Sequence, residues 1–174
     1  VLARWGRIDV LVNNAAIMKT GALLDMPEEA WDEVMAINLK GPFLLAKYAI
    51  PAMPQQAAIV NISSVHAVAT DAHSTAYSAS KGGLEAFTRG LALECYPRLI
   101  RVNALRLGAV DTGMLRDNPE VKSGAEKIDP DEVGTPREIA EVVLFLASAR
   151  ARVVSGTVLS VDGGRLPILG SHAG

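Results

Sequence analysis

Four short, nearly continuous apolar runs constrain this chain more than any other feature: residues 8–13 (IDVLVN), 57–63 (AAIVNIS), 100–105 (IRVNAL) and 157–161 (TVLSV). Runs of this length and character suit strands covered on both faces, because a strand with one wet face would alternate apolar and polar residues. Helix-start signals lie between them. Pro27 followed by Glu28-Glu29 puts a proline and two acids in a first turn, where unpaired N–H groups and the positive helix end favour them. The helix or helix pair that begins there is expected to run toward Met53, with an internal break at Gly41-Pro42. Ser74-Thr75 precedes a second helix that ends before Pro97. Thr135-Pro136-Arg137-Glu138 is a capping box with proline at the first helical position, opening a helix that reaches about Ala149. Strands alternating with helices imply right-handed crossovers and a parallel sheet with helices on both faces. The fold expected is therefore α/β, a doubly wound parallel sheet of about four strands in one domain over residues 1–174. Residues 107–133, rich in Gly, Pro and charge, are expected to form a flexible excursion with one short helix.

Composition narrows the partners. The length of 174 residues fits one domain. A net charge of −2, with the basic residues scattered, gives no footprint for nucleic acid or an acidic membrane surface. The longest apolar stretches, such as residues 142–147, fall far short of the roughly 20 residues a membrane span needs. The opening residues, VLARWGR, have no signal-peptide layout and read as the middle of a protein. Cys95 is the lone cysteine, so no internal disulfide can form. That fits a reducing, cytoplasmic setting and a buried structural thiol.

Chemistry concentrates in one stretch. Tyr77 and Lys81, four residues apart in a helical segment, project from one face one turn apart. An ammonium beside a phenol favours the ionised phenol, so such a pair can act as a general acid/base near neutral pH. Taken alone, the spacing describes most exposed helix faces. Ser64 supplies the context: it closes the second apolar run, and in parallel α/β sheets ligands bind beyond the carboxyl ends of the strands. His66 and His73 offer too few ligands for a zinc site, with no metal expected; either could line the substrate mouth, and a place in a solvated loop is the main reading. An esterase built on Ser64 and His66 is unsupported, since no G-x-S-x-G surrounds the serine.

These residues resemble the short-chain dehydrogenase/reductase family. Tyr77-Ser78-Ala79-Ser80-Lys81 resembles its YxxxK motif, and Asn61-Ile62-Ser63-Ser64 its catalytic-serine strand at the usual spacing. Asn13-Asn14-Ala15-Ala16 resembles NNAG, with Ala16 in place of glycine. Asn38 matches the family's catalytic asparagine, Arg101-Val102-Asn103-Ala104 and Val110-Asp111-Thr112 a segment that usually carries Pro-Gly, and Ser155-Gly156 and Val161-Asp162-Gly163-Gly164 the C-terminal strand. The likeness runs from about Gly6 to Gly164.

The resemblance implies a Rossmann-like sheet and an NAD(P)-dependent oxidoreductase that interconverts a small alcohol and a carbonyl. Tyr77 would move the proton, Lys81 would hold ribose hydroxyls and lower the tyrosine pKa, Ser64 would orient the substrate oxygen, and Asn38 would anchor a water linking Lys81 to solvent. Asn14, Ala15, Ala16, Gly108, Val110 and Thr112, with Tyr77 and Lys81, would touch NAD or NADP. A homo-oligomer, tetramer or dimer, would form through the helix bearing Tyr77 and the one before it, with residues 164–174 joining a second interface. The family's glycine-rich opening and roughly its first three strands have no counterpart here. An inactive fragment or an interaction module of the same fold is thus the rival reading, and the chain alone is expected to pair through the edge of residues 8–13 and to bind NAD(P) poorly. Leu107-Gly108 in place of Pro-Gly is expected to loosen the loop that follows.

Overall fold

A computed structural model describes residues 1–124 and 128–168. Four parallel strands form one sheet in the order β1-β2-β3-β4: β1 (Val10–Asn13), β2 (Ala58–Ser64), β3 (Arg101–Leu107) and β4 (Val158–Val161). Each expected strand is present, shifted by a residue or two at its ends. The helices are α1 (Leu2–Trp5), α2 (Glu28–Met35), α3 (Gly41–Ala49), α4 (Thr75–Cys95), α5 (Gly113–Arg116), α6 (Pro119–Ser123), α7 (Pro136–Ala147) and α8 (Arg165–Ile168).

Side chains of β2 alternate between two cores, as strand geometry requires. Ile59 joins Ala46, Met53, Leu91 and Val102 on the side of α3 and α4. Val60 and Ile62 join Leu105 and Leu146 on the side of α7. Every residue of β2 is buried, and each large apolar side chain so covered contributes roughly 1.5–3 kcal/mol. The capping box forms as read: the Thr135 hydroxyl accepts from the Glu138 N–H, and the Glu138 carboxylate accepts from the Thr135 N–H.

Three expectations change. The break between α2 and α3 is a π-helical turn, Ala36–Lys40, one residue ahead of Gly41-Pro42. Pro42 has no N–H to return to the Asn38 carbonyl, so the ladder widens just before it. Residues 107–133 hold α5, α6 and a 3₁₀ turn, Pro130–Glu132, where one short helix was expected. Finally, β1 is not covered on both faces. Its edge is bare, as expected, since it pairs only with β2 among the described residues, and Val10 is 42% and Val12 39% exposed.

An unpaired apolar edge is a template for another strand. The 174-residue chain should therefore self-associate at micromolar concentration, and Val10→Lys should shift it toward monomer in sedimentation. An unchanged size distribution would place the contact elsewhere.

Candidate active site

The carboxyl ends of β1, β2 and β3 and the first turns of α4 surround a cavity of about 930 Å³. Ser64 is the last residue of β2, where the chain leaves the sheet, and its hydroxyl accepts from the His66 N–H at 3.3 Å. Tyr77 lies in the first turn of α4, buried, and lines the cavity beside Ser64, whose hydroxyl acts on the phenol. Burial pushes the Tyr77 phenol above its ordinary value, and the Ser64 hydrogen bond pulls it part of the way back. Lys81, one turn on, is only 2% exposed. Its Nζ donates to the Ile62 carbonyl at 2.8 Å and stands 5.5 Å from the centre of the Tyr77 ring. Burial pulls the ammonium down to about 8. Burial is the larger influence on both groups, and the ammonium is directed at a main-chain carbonyl.

Asn38 is 1% exposed and does not line the cavity. Its amide forms a two-way pair with the Ile17 backbone, accepting from the N–H at 2.9 Å and donating to the carbonyl at 2.8 Å. It also donates to the Ser80 hydroxyl at 3.1 Å. Asn38 therefore ties the loop after β1 to α4, and its side chain is committed to that role.

Asn14, Ala15 and Ala16 after β1, and Gly108, Val110 and Thr112 after β3, line the cavity together with Ser64, Tyr77 and Lys81. The β3 loop is better held than the Leu107-Gly108 sequence suggests. Leu107 continues the ladder, opposite Ser64 and Val161. Val110 bridges Gly134, whose N–H donates to the Ala109 carbonyl and whose carbonyl accepts from the Asp111 N–H. At Gly108 a Cβ would lie 2.8 Å from Asp162 Cα, so only glycine fits against the end of β4.

Of the two places open to His66, a solvated loop or the substrate mouth, the structure has it at the cavity with its ring edge-on to Tyr77, centroids 5.5 Å apart. His73 has φ 68°, and its carbonyl accepts from the Gly21 N–H. Among the described residues no cluster of His, Cys, Asp and Glu could hold a metal ion, and no helix is long and apolar enough to cross a membrane. Cys95 is buried, as expected. The part of the 164–174 tail from residue 169 onward lies outside the described residues.

Two groups of residues escaped the sequence reading. Met18, Met114, Leu115, Ile139 and Val143 form an apolar wall of the cavity. Behind the site, α4 meets the sheet through buried polar side chains. Asn13 donates to Asn61, Asn61 to Thr88, and Ser63 to Glu85, which also pairs with Arg106. The signal was available: Tyr77, Lys81, Glu85 and Thr88 follow helical spacing, and Asn61, Ser63 and Ser64 crowd one strand end.

The family profile described as Enoyl-(Acyl carrier protein) reductase matches residues 1–165. A 3-oxoacyl-[acyl-carrier-protein] reductase FabG of Thermotoga maritima is 42% identical over 168 residues, which is 94% of this chain and 68% of that protein. The angucycline C-6 ketoreductase LanV with bound NADP superposes with a TM-score of 0.87 at 35% identity, over 95% of this chain and 66% of that one. A variant of the Serratia marcescens short-chain dehydrogenase/reductase gives a TM-score of 0.83 at 31% identity, over 94% of this chain and 67% of that one. The chain thus spans about two thirds of the length of these relatives. With the four-stranded parallel sheet and the ordered motifs, these matches show that the chain belongs to the short-chain dehydrogenase/reductase family.

Proposed function

We propose that the chain is the catalytic portion of an NAD(P)-dependent oxidoreductase that interconverts a small alcohol and a carbonyl. The observation that carries this reading is the pair of hydroxyls, Ser64 and Tyr77, brought together in one cavity at the carboxyl end of β2 with Lys81 one turn along α4. The cavity suits the nicotinamide end of a dinucleotide. Its rim is built of small residues, Ala15, Ala16 and Gly108, and Lys81 offers a cation on its wall. When bound, the nicotinamide supplies or accepts the hydride, so the protein's task is to position an oxygen and move a proton.

Ser64 and Tyr77 would hold the substrate oxygen between their hydroxyls. In the reducing direction the Tyr77 O–H donates its proton to that oxygen as negative charge develops there. The raised pKa of Tyr77 keeps the phenol protonated and ready for this step. Lys81 steadies the phenolate left behind, and Asn38 holds the β1 loop and α4 in register. In the oxidising direction the same proton returns to Tyr77. The apolar wall of Met18, Met114 and Leu115 favours a substrate whose carbonyl is carried on an apolar body.

The test is direct. The natural protein that contains this chain is titrated calorimetrically with NADP and NAD, and its NADPH- or NADH-dependent reduction of a ketone panel is followed by nicotinamide absorbance. Binding of one dinucleotide and turnover of at least one ketone are expected. Binding of neither would leave the inactive or interaction-module reading.

Self-association belongs to the same proposal. A groove of about 330 Å³ between α3 and α4 is lined by Phe43, Ile50, Phe87 and Leu91, and Leu45, Tyr48 and Leu93 are exposed on the same helices. An apolar patch of that kind marks a contact surface. The natural protein should sediment as a dimer or tetramer at micromolar concentration; a monomer alone would count against this.

A further inference from the structure

Tyr77 can serve a substrate oxygen only if α4 is set correctly along and around its axis relative to the end of β2. Two contacts near the site contribute: Lys81 Nζ to the Ile62 carbonyl, and Ser80 to Asn38. A third lies one turn beyond Lys81 and is the most heavily bonded. The Glu85 side chain is 5% exposed. Its carboxylate accepts from Arg106 Nε at 2.9 Å and Nη2 at 2.6 Å, a bidentate pair, and from the Ser63 hydroxyl at 3.0 Å. Ser63 and Arg106 are register partners on β2 and β3, so both side chains rise from the same face of the sheet toward α4. Ser63 is the residue before Ser64. Glu85 thus grips β2 beside the serine and β3 beside the loop that begins at Gly108.

We propose that Glu85 and Arg106 are positioning residues that index α4 against the ends of β2 and β3 and so set the Tyr77–Ser64 contact. Geometry favours this over a merely stabilising role. A bidentate carboxylate–guanidinium pair is directional in a way apolar packing is not. A buried ion pair is weak ground for stability, since an apolar pair of similar size often holds a fold as well. Glu85 and Tyr77 are eight residues apart, about 12 Å along a continuous helix, so a slip at Glu85 is carried rigidly to Tyr77. A misplacement of about 1 Å can cost on the order of 10²-fold in rate.

The inference rests on the proposed oxidoreductase reading, and the test keeps the two apart. In the natural protein, Glu85→Leu combined with Arg106→Met should leave the melting temperature near wild type. It should lower kcat by about tenfold to 10²-fold, with KM for the dinucleotide little changed. It should also move the tyrosine limb of the kcat–pH profile upward, because the Ser64 hydrogen bond that lowers the Tyr77 pKa is disturbed. Lys81 and His66, the other titratable groups facing Tyr77, are unaltered in this variant, as is Asp162, the further charge felt by Arg106. Ser63→Ala, which deletes one hydroxyl, should show the same pH shift with a smaller loss of rate, and it decides the matter if the double variant does not fold. Unchanged kcat and an unmoved pH limb in a folded variant would overturn the positioning role. Activity surviving in Tyr77→Phe would instead overturn the oxidoreductase reading beneath it.

Discussion

Replacing Tyr77 with Phe in the natural protein should lower turnover by roughly 10²–10⁴-fold, the usual contribution of a positioned general acid/base. The fold should survive. The ring stays in its buried place at the start of α4, edge-on to His66, and what disappears is one hydroxyl. Ser64 keeps the hydrogen bond it accepts from the His66 N–H, so little of the fold depends on that hydroxyl. Circular dichroism and the melting transition should therefore change little while the steady-state rate collapses. Dinucleotide affinity should change far less than kcat, because Tyr77 is asked to act on the reacting oxygen. Retention of more than about a tenth of wild-type turnover, against that expected range, would remove Tyr77 from the mechanism.

Lys81→Met should make the protein more stable and inactive at once. The ammonium is buried with a single main-chain acceptor, the Ile62 carbonyl, among its hydrogen bonds to protein groups in the described residues. Desolvation brings its pKa from 10.5 to about 8. A folded pKa below the unfolded one means that the unfolded chain binds the proton more tightly, so the charge opposes folding at every pH below about 8. The lowering corresponds to ~3 kcal/mol. Methionine keeps the length of the side chain without the charge. At pH 7 the variant should gain up to ~3 kcal/mol over wild type in denaturant titrations. That advantage should shrink as the pH climbs from about 8 and be gone above 10.5. An equal or lower stability for Lys81→Met at pH 7 would show that the ammonium is well solvated in the folded protein. Turnover should be lost in the variant whichever way stability moves, and the combination would mark Lys81 as a residue held for chemistry at the expense of the fold.

How far the sequence reaches can be judged residue by residue. Periodicity and punctuation located β1 to β4, α4 and α7, because an apolar run between turn residues, or a Thr-Pro-Arg-Glu cap, depends on neighbours a few positions away. The order of Ser64, Tyr77 and Lys81 along strand and helix foretold that they would converge at one end of the sheet. Other features needed contacts between distant segments. Asn38 has its role through a contact with the Ile17 backbone, 21 positions away, made from within a π turn. The exposure of Val10 and Val12 depends on what packs over that face of β1, which a run of apolar residues does not disclose. Spacing reports a charge near Tyr77 but not the water its phenol loses on burial, which is the larger influence on that phenol. Glu85 and Arg106, separated by 21 positions, look like ordinary surface charges until β3 lies beside β2 and α4 crosses above them. Local pattern is set by rotation per residue along the chain, and the sequence alone determines it. Burial and long-range pairing depend on which faces meet, and only the folded chain decides that.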